Sequence, residues 1–408
     1  MNVAATSPDS DRAATQRGEE LVARAASLAP MLAEQARAAE SARRVPSETF
    51  AAIRAADLLR AYVPQRFGGY ELPPRWFWRV AAELARGCPS TSWVYSVLSC
   101  HTFLLGMFPE AGQSEIFAAD PNVAVCGVLP DRSTAVAVDG GYRIKNGLWP
   151  FGSGCHNANW AMLGFELDGD PPGYNKLFCM VPMAEIDIVD DWRVAGLKAT
   201  GSNSLRLNAD ELFVPAHRAL KAETALAHKY GEHRPMLYRM PMGPTLALSL
   251  GLGATVGAAR GALAYFEDLV RNRSNRRMVY TDDVRKAELP ATRRVLADAI
   301  VRLDAACLMA DRACDLAAEA AANWQHVPDN ELRARIRLYG VHVMHECRDI
   351  VASLTFESGG SSLHENNPMQ RYNRDVQAMT MHEAMHLDTI SDTFGRMRLG
   401  QPTTHWLL

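Results

Sequence analysis

The sequence predicts an α+β fold, mainly helical, in three consecutive parts. These are an N-terminal helical domain over residues 1–120, a central small β-domain over 121–217, and a C-terminal four-helix-bundle domain over 218–408. Three observations predict it. Apolar residues recur at helical spacing in the first part, short β-rich runs separated by turn signals fill the middle, and long Ala-, Leu- and Arg-rich stretches fill the rest. With 408 residues and 48% hydrophobic content, the chain can bury a large core.

The first twenty residues, MNVAATSPDSDRAATQRGEE, are polar and contain no apolar signal core. About the first ten are expected to lack order. Leu21, Leu28, Leu32 and Ala36 then share one helical face, and Phe50 and Ile53 repeat the pattern after Pro46. Tyr62-Val-Pro-Gln-Arg-Phe-Gly-Gly69 reads as a loop. Ser90–Phe108 reads as a helix capped by Ser90.

The β-rich runs are Val123–Leu129, Thr134–Val138, Tyr142–Lys145, Trp160–Leu167, Leu177–Val181, Ile186–Trp192 and Ser204–Val214. Turns such as Asp139-Gly140-Gly141 and Asn146-Gly147 separate them, and the spacing predicts a small sandwich or barrel. Helical stretches at 240–272, 283–324, 329–358 and 372–398 predict an up-down bundle. Met240–Phe266 is weakly polar, but Gly251, Gly253, Gly257, Gly261 and Arg260 favour a buried helix over a membrane span.

The net charge of −3 and the absence of basic runs interleaved with aromatics exclude a nucleic-acid role on electrostatic grounds. Eight cysteines are scattered singly, without a CxxC pair. They read as free thiols of a reducing compartment, hence a cytoplasmic protein.

Two segments could hold a flat polar ligand. The first is Asn146-Gly-Leu-Trp149-Pro-Phe151-Gly-Ser153-Gly-Cys-His156-Asn-Ala-Asn-Trp160. It combines glycines for close backbone approach, rings for stacking and a hydroxyl for a polar edge. Its rival reading is a tight turn with two core tryptophans. The second is Trp192-Arg-Val-Ala-Gly-Leu-Lys-Ala-Thr200-Gly-Ser202-Asn-Ser204, dense in small hydroxyls, or simply a solvated connection. Gly251-x-Gly253-x-x-x-Gly257 has the wrong spacing for a dinucleotide fingerprint and reads as helix packing. His382-Glu383-Ala-Met-His386 matches HExxH, which would put two histidines on one helical face for zinc. No GxxH supplies a third ligand, so no metal is expected. His101 lies mid-helix in apolar surroundings and reads equally as a core histidine. Arg271, Arg273, Arg276 and Arg277 could hold phosphate or form a solvated helix end.

Taken together, these segments resemble the acyl-CoA dehydrogenase superfamily. Ile53-Arg-Ala-Ala-Asp-Leu-Leu59, Val63-Pro64, Gly68-Gly69, Cys88-Pro-Ser-Thr-Ser-Trp93, Gly196-Leu-Lys-Ala-Thr-Gly201 and Leu212-Phe-Val-Pro215 carry the likeness. Within it, Trp149 to Trp160 and Arg374-Asp375 followed by His382 resemble flavin-dependent monooxygenases. Examples are the oxygenase component of 4-hydroxyphenylacetate hydroxylase and dibenzothiophene monooxygenase. The resemblance implies a two-component enzyme. A separate NAD(P)H-dependent flavin reductase would supply reduced FMN or FAD, with FMNH2 favoured, and O2 would add at flavin C4a to give a hydroperoxide that hydroxylates an aromatic or polycyclic molecule. It implies that Ser153 bonds the flavin near N5, that His382 acts as base, and that His101 orients the substrate. Trp149, Phe151, Thr200 and Ser202 would line the ring, and Arg273 or Arg276 would hold the phosphate across the interface of a homotetramer. The alternative implied by the same superfamily is an acyl-CoA dehydrogenase with Glu383 as base.

Overall fold

Prolines set the starts of the N-terminal helices, because a fixed φ suits a first helical position whose N–H has no partner. In the computed structural model, which describes residues 8–171, 175–226, 235–272, 284–323 and 329–403, α1 runs Pro8–Ala42 and α2 Ser47–Ala55. They are followed by α3 (Pro74–Gly87), α4 (Pro89–Leu105) and α5 (Glu110–Phe117). Helix α1 therefore begins inside the stretch expected to lack order. Ser90 is not a cap: Cys88 occupies that position without a side-chain bond, and the buried Ser90 hydroxyl is used elsewhere.

The middle of the chain forms β1 (Val125–Val138), β2 (Gly141–Lys145), β3 (Trp160–Leu167), β4 (Lys176–Pro182), β5 (Ile186–Val189), β6 (Ser204–Leu207), β7 (Glu211–Pro215) and β8 (Ala219–Lys221). The small β-domain consists of one six-stranded sheet, ordered β7-β2-β1-β3-β4-β8, and a separate β5–β6 pair. Among the described residues, only β1 and β3 run parallel; the other pairs are antiparallel. Two expected strands merge into β1, whose register shifts between Val128 and Thr134, around Pro130, which cannot donate to a ladder. The last expected strand divides at the turn-forming Asn208–Asp210 into β6 and β7. The sheet also continues to Lys221, past the expected boundary at 217, because β8 pairs with β4.

Helices resume with α6 (Ala222–Leu226), α7 (Met242–Leu250), α8 (Leu252–Asn272), α9 (Pro290–Ala322) and α10 (Asn330–Ser358). Helix α10 packs against α7, α8, α9, α11 (Pro368–Thr380) and α12 (Leu387–Arg398). The glycines of α8 are a packing surface: a Cβ at Gly253 would lie 2.3 Å from the Trp78 carbonyl oxygen, and one at Gly257 2.1 Å from that of Ala82. Met242–Asn272 is long and apolar enough to cross a membrane, but 78% of its apolar window is buried inside the protein. All eight cysteines are free, and all but the half-buried Cys307 are buried.

The fourth long helix expected over 372–398 is broken. Helix α11 ends at Thr380, a 3₁₀ turn occupies Glu383–Met385, and α12 starts at Leu387. His382 caps the turn, accepting the Ala384 N–H at Nδ1 (3.2 Å), and His386 caps α12, accepting that of Thr389 (3.4 Å). The two histidines thus begin successive short elements. They do not share the helical face that an HExxH zinc site requires.

Candidate functional site

The two glycine- and hydroxyl-rich segments lie side by side. Backbone hydrogen bonds join Trp149 to Leu205, Gly152 N–H to Asn203 (3.0 Å) and Gly154 N–H to Thr200 (3.0 Å). Gly154 and Gly201 have φ of 75° and 56°, so both turns use the left-handed region that glycine enters without cost. Three buried hydroxyls form a chain across the joint. Thr200 Oγ1 is 2.6 Å from Ser202 Oγ, which is 2.7 Å from Ser153 Oγ.

Helix α4 closes one side. Trp93, Val97 and His101 lie at i, i+4 and i+8 on one face, and all are buried. The Trp93 indole N–H donates to Ser153 Oγ at 3.3 Å, and its ring lies 5.7 Å from the His382 ring. One indole therefore spans from the hydroxyl chain to the imidazole. His382 is exposed, yet desolvation by the protein beside its ring lowers its pKa, and Glu383 opposes this. The turn that carries His382 is tied to α10, where Arg337 donates to the Ala384 carbonyl (3.3 Å) and His345 Nε2 bonds that of Met385 (3.1 Å).

His101 Nδ1 lies 2.8 Å from the Val97 carbonyl, which can only accept. The proton is therefore on Nδ1, and Nε2 is left with a lone pair. Burial lowers this histidine to about 4, with the nearby His382 adding to the effect. Room for the ring comes from β1, where a Cβ at Gly127 would lie 2.6 Å from Nε2.

Helix α11 holds the second segment from behind. Asp375 is completely buried; it accepts the Leu197 N–H (2.7 Å) and the Ser90 hydroxyl (2.9 Å). Desolvation raises its pKa to about 6 against the pull of those two bonds. Arg374 donates to the Ala195 carbonyl and pairs with Glu40 of α1 at 2.8 Å. Gly196 lets the backbones meet, since a Cβ there would lie 2.4 Å from the Arg374 carbonyl oxygen.

The remaining expected residues divide. Phe151 is 67% exposed at φ 68°, a conformation costing roughly 1–2 kcal/mol for a residue with a Cβ. Its ring meets Trp192 edge-on at 6.0 Å. Trp149 is a correction: it is wholly buried, its N–H donates to the Gly164 carbonyl (2.9 Å), and its ring packs on Phe165. Its side chain supports the joint from inside the sheet and lines nothing. Arg273 and Arg276 lie outside the described residues. Glu383 is exposed at the start of the 3₁₀ turn. Behind the Thr200–Ser202 turn, Arg43, Arg44, His156, Asp190 and Asn203 line a cavity of about 300 Å³. Its Arg43–Asp190 pair (2.6 Å) is already self-neutralised, and it holds none of the expected chemistry. Sequence reasoning assigned no role to Trp93, although its helical spacing from His101 was a usable signal. Nor did it single out His345, for which no sequence signal existed.

Known proteins resemble the chain along nearly its full length. Residues 18–115 match the family model described as acyl-CoA dehydrogenase, N-terminal domain, and residues 250–387 match that of the C-terminal domain. The chain is 35% identical over 393 residues to the FADH(2)-dependent resorcinol hydroxylase, oxygenase component, of Rhizobium sp. (strain MTP-10005), covering 93% of this chain and 94% of that protein. It is 31% identical over 383 residues to the flavin-dependent monooxygenase, oxygenase subunit HsaA, of Mycobacterium tuberculosis (strain ATCC 25618 / H37Rv), covering 92% and 94%. The structure of XiaF from Streptomyces sp. in complex with FADH2 and glycerol superposes with a TM-score of 0.89 at 28% identity, covering 97% of this chain and 98% of that one.

Proposed function

Because the chain belongs to the acyl-CoA dehydrogenase family, among the oxygenase components of flavin-dependent monooxygenases, we propose that it hydroxylates a phenolic aromatic compound, using O2 and reduced flavin delivered from outside. The similar proteins are hydroxylases and monooxygenases, which supports this reading over a dehydrogenase with Glu383 as base. One observation supports it: the Trp93 indole N–H donates to Ser153 while its ring lies 5.7 Å from that of His382, which brings a hydroxyl suited to a flavin edge and an imidazole to the same side chain.

Reduced flavin, when bound, supplies the electrons with which O2 delivers one oxygen atom to the substrate. The protein's own groups do the rest. Ser153 bonds the flavin near N5, and Phe151, Thr200 and Ser202 line its ring. The two neutral histidines suit a phenol, whose O–H has a pKa of about 10 and donates to an imidazole lone pair. His382 takes that proton, which enriches the ring carbon that is to be oxygenated, and His101 Nε2 fixes the orientation. The buried walls from Trp93 to Met385 exclude water.

The resorcinol hydroxylase and XiaF that the chain resembles carry reduced FAD in their names, which favours FADH2 over the FMNH2 expected from sequence. Arg273 or Arg276 from a neighbouring subunit holds the flavin phosphate. An NAD(P)H-dependent reductase is the partner, and the cytoplasm, where eight thiols stay reduced, is the place of action. A homotetramer built through the C-terminal helices accounts for the exposed Val301, Leu308 and Phe356.

Rapid mixing with oxygen tests the reading. Protein loaded with reduced FAD or FMN should give a transient absorbance distinct from both reduced and oxidised flavin. Resorcinol, used as the probe, should shorten the transient and gain one labelled atom from ¹⁸O2. Oxidation at the free-flavin rate with no transient for either flavin overturns the proposal.

A further inference from the structure

The hydroxyl chain has a direction. Thr200 Oγ1 lies 2.9 Å from the Leu197 carbonyl oxygen. A carbonyl cannot donate, and two oxygens at that distance with no proton between them repel, so the Thr200 proton points at Leu197. Thr200 has then no proton left for Ser202, 2.6 Å away, and Ser202 must donate to it. Ser202 is spent in turn, so across the 2.7 Å gap Ser153 donates to Ser202. Ser153 already accepts the Trp93 indole N–H, and what it turns toward the site is a lone pair. All four side chains are buried, so water cannot reverse the order cheaply. The far end is itself anchored, because Asp375 holds the Leu197 N–H.

On the reading of Ser153 as the group facing flavin N5, we infer that Thr200, which need not touch N5 itself, determines which redox state of flavin this site accepts. Reduced isoalloxazine carries a hydrogen at N5 and can donate to the lone pair that Ser153 presents. Oxidised isoalloxazine presents a lone pair of its own there. Two acceptors facing each other in a buried site are disfavoured by about tenfold or more in affinity. The result is capture of the flavin the reductase delivers and release of the flavin that turnover leaves behind.

The test is binding, not turnover. Dissociation constants for oxidised FAD and FMN are measured by fluorescence quenching, and those for the dithionite-reduced forms under anaerobic conditions. The wild type should prefer reduced flavin. Thr200→Val keeps the shape and removes the donor to Leu197, so the Ser202 and Ser153 protons can turn round. Oxidised flavin should then bind about tenfold tighter, and the preference should shrink accordingly. Ser202→Ala cuts the chain in the middle and should do the same, while Thr200→Ser restores the donor and the preference. Preference unchanged in both Thr200→Val and Ser202→Ala overturns the inference. So does an equal loss for both redox states, which is what mere structural damage would give. Failure of the wild type to bind either redox state would instead remove the flavin reading on which the inference rests.

Discussion

At His101 a single hydrogen bond decides which nitrogen can work. With Nδ1 held by Val97 and the pKa near 4, this residue does not titrate in the working range, and Nε2 stays an acceptor. Its place depends on Gly127. We predict that Gly127→Ala pushes the imidazole out of position and lowers kcat/KM by about tenfold or more, since misplacing a reacting partner by an ångström costs that much and upward. Unchanged turnover in a folded Gly127→Ala variant would show that His101 plays no part. His382 behaves differently. Its pKa lies below the ordinary 6.5, so it is neutral and able to accept a proton at pH 7, and becomes protonated only under acid conditions. The pH profile of kcat/KM should therefore carry an acid limb below pH 6.5, and His382→Gln should lose both that limb and most of the activity. The same limb persisting in the variant would assign it to another group. The sequence singled out the two glycine- and hydroxyl-rich turns by their composition, and the structure brings Ser153, Thr200 and Ser202 of those turns together. Trp149 was misread because composition does not say which of two neighbouring aromatic rings faces inward.

At the level of elements, the site is a contact between the end of α11 and the Leu197–Ser202 turn, with α4 beneath. Asp375 makes that contact. Its pKa is raised from 3.8 to about 6, so between those values the folded state holds more proton than the unfolded one. Stability contributed by this group is thus greatest in acid and falls as pH rises through that window. Asp375→Asn keeps an acceptor for Leu197 and removes the titration, so its melting temperature should vary less than that of the wild type between pH 4 and 6. A wild-type slope in the variant would show that the buried carboxyl is not its source. The break between α11 and α12 had no clear sequence signal. His382-Glu383-Ala-Met-His386 fits a helix locally, and only the bonds from Arg337 and His345 to the turn show why it does not continue as one.

In the whole molecule, helices flank a sheet, and the candidate site lies where α4, α11 and the two hydroxyl-rich turns meet. On the proposed tetramer, copies would join through exposed apolar residues of α9 and α10: Val301 is 67% exposed, Leu308 72% and Phe356 88%. Val301→Glu with Leu308→Glu should split the assembly in light scattering, and should weaken flavin binding if an arginine of a neighbour completes the phosphate site. A monodisperse monomer in the wild type would refute the tetramer.

The sequence alone determined the three-part order, the glycine packing of α8 and the two glycine- and hydroxyl-rich turns, because each follows from local periodicity and turn chemistry. Only the tertiary structure decided that the two turns share one hydroxyl chain, that Trp93 joins it to His382, and that Asp375 clamps it. Those bonds link residues tens to hundreds of positions apart, and no local pattern encodes such a meeting.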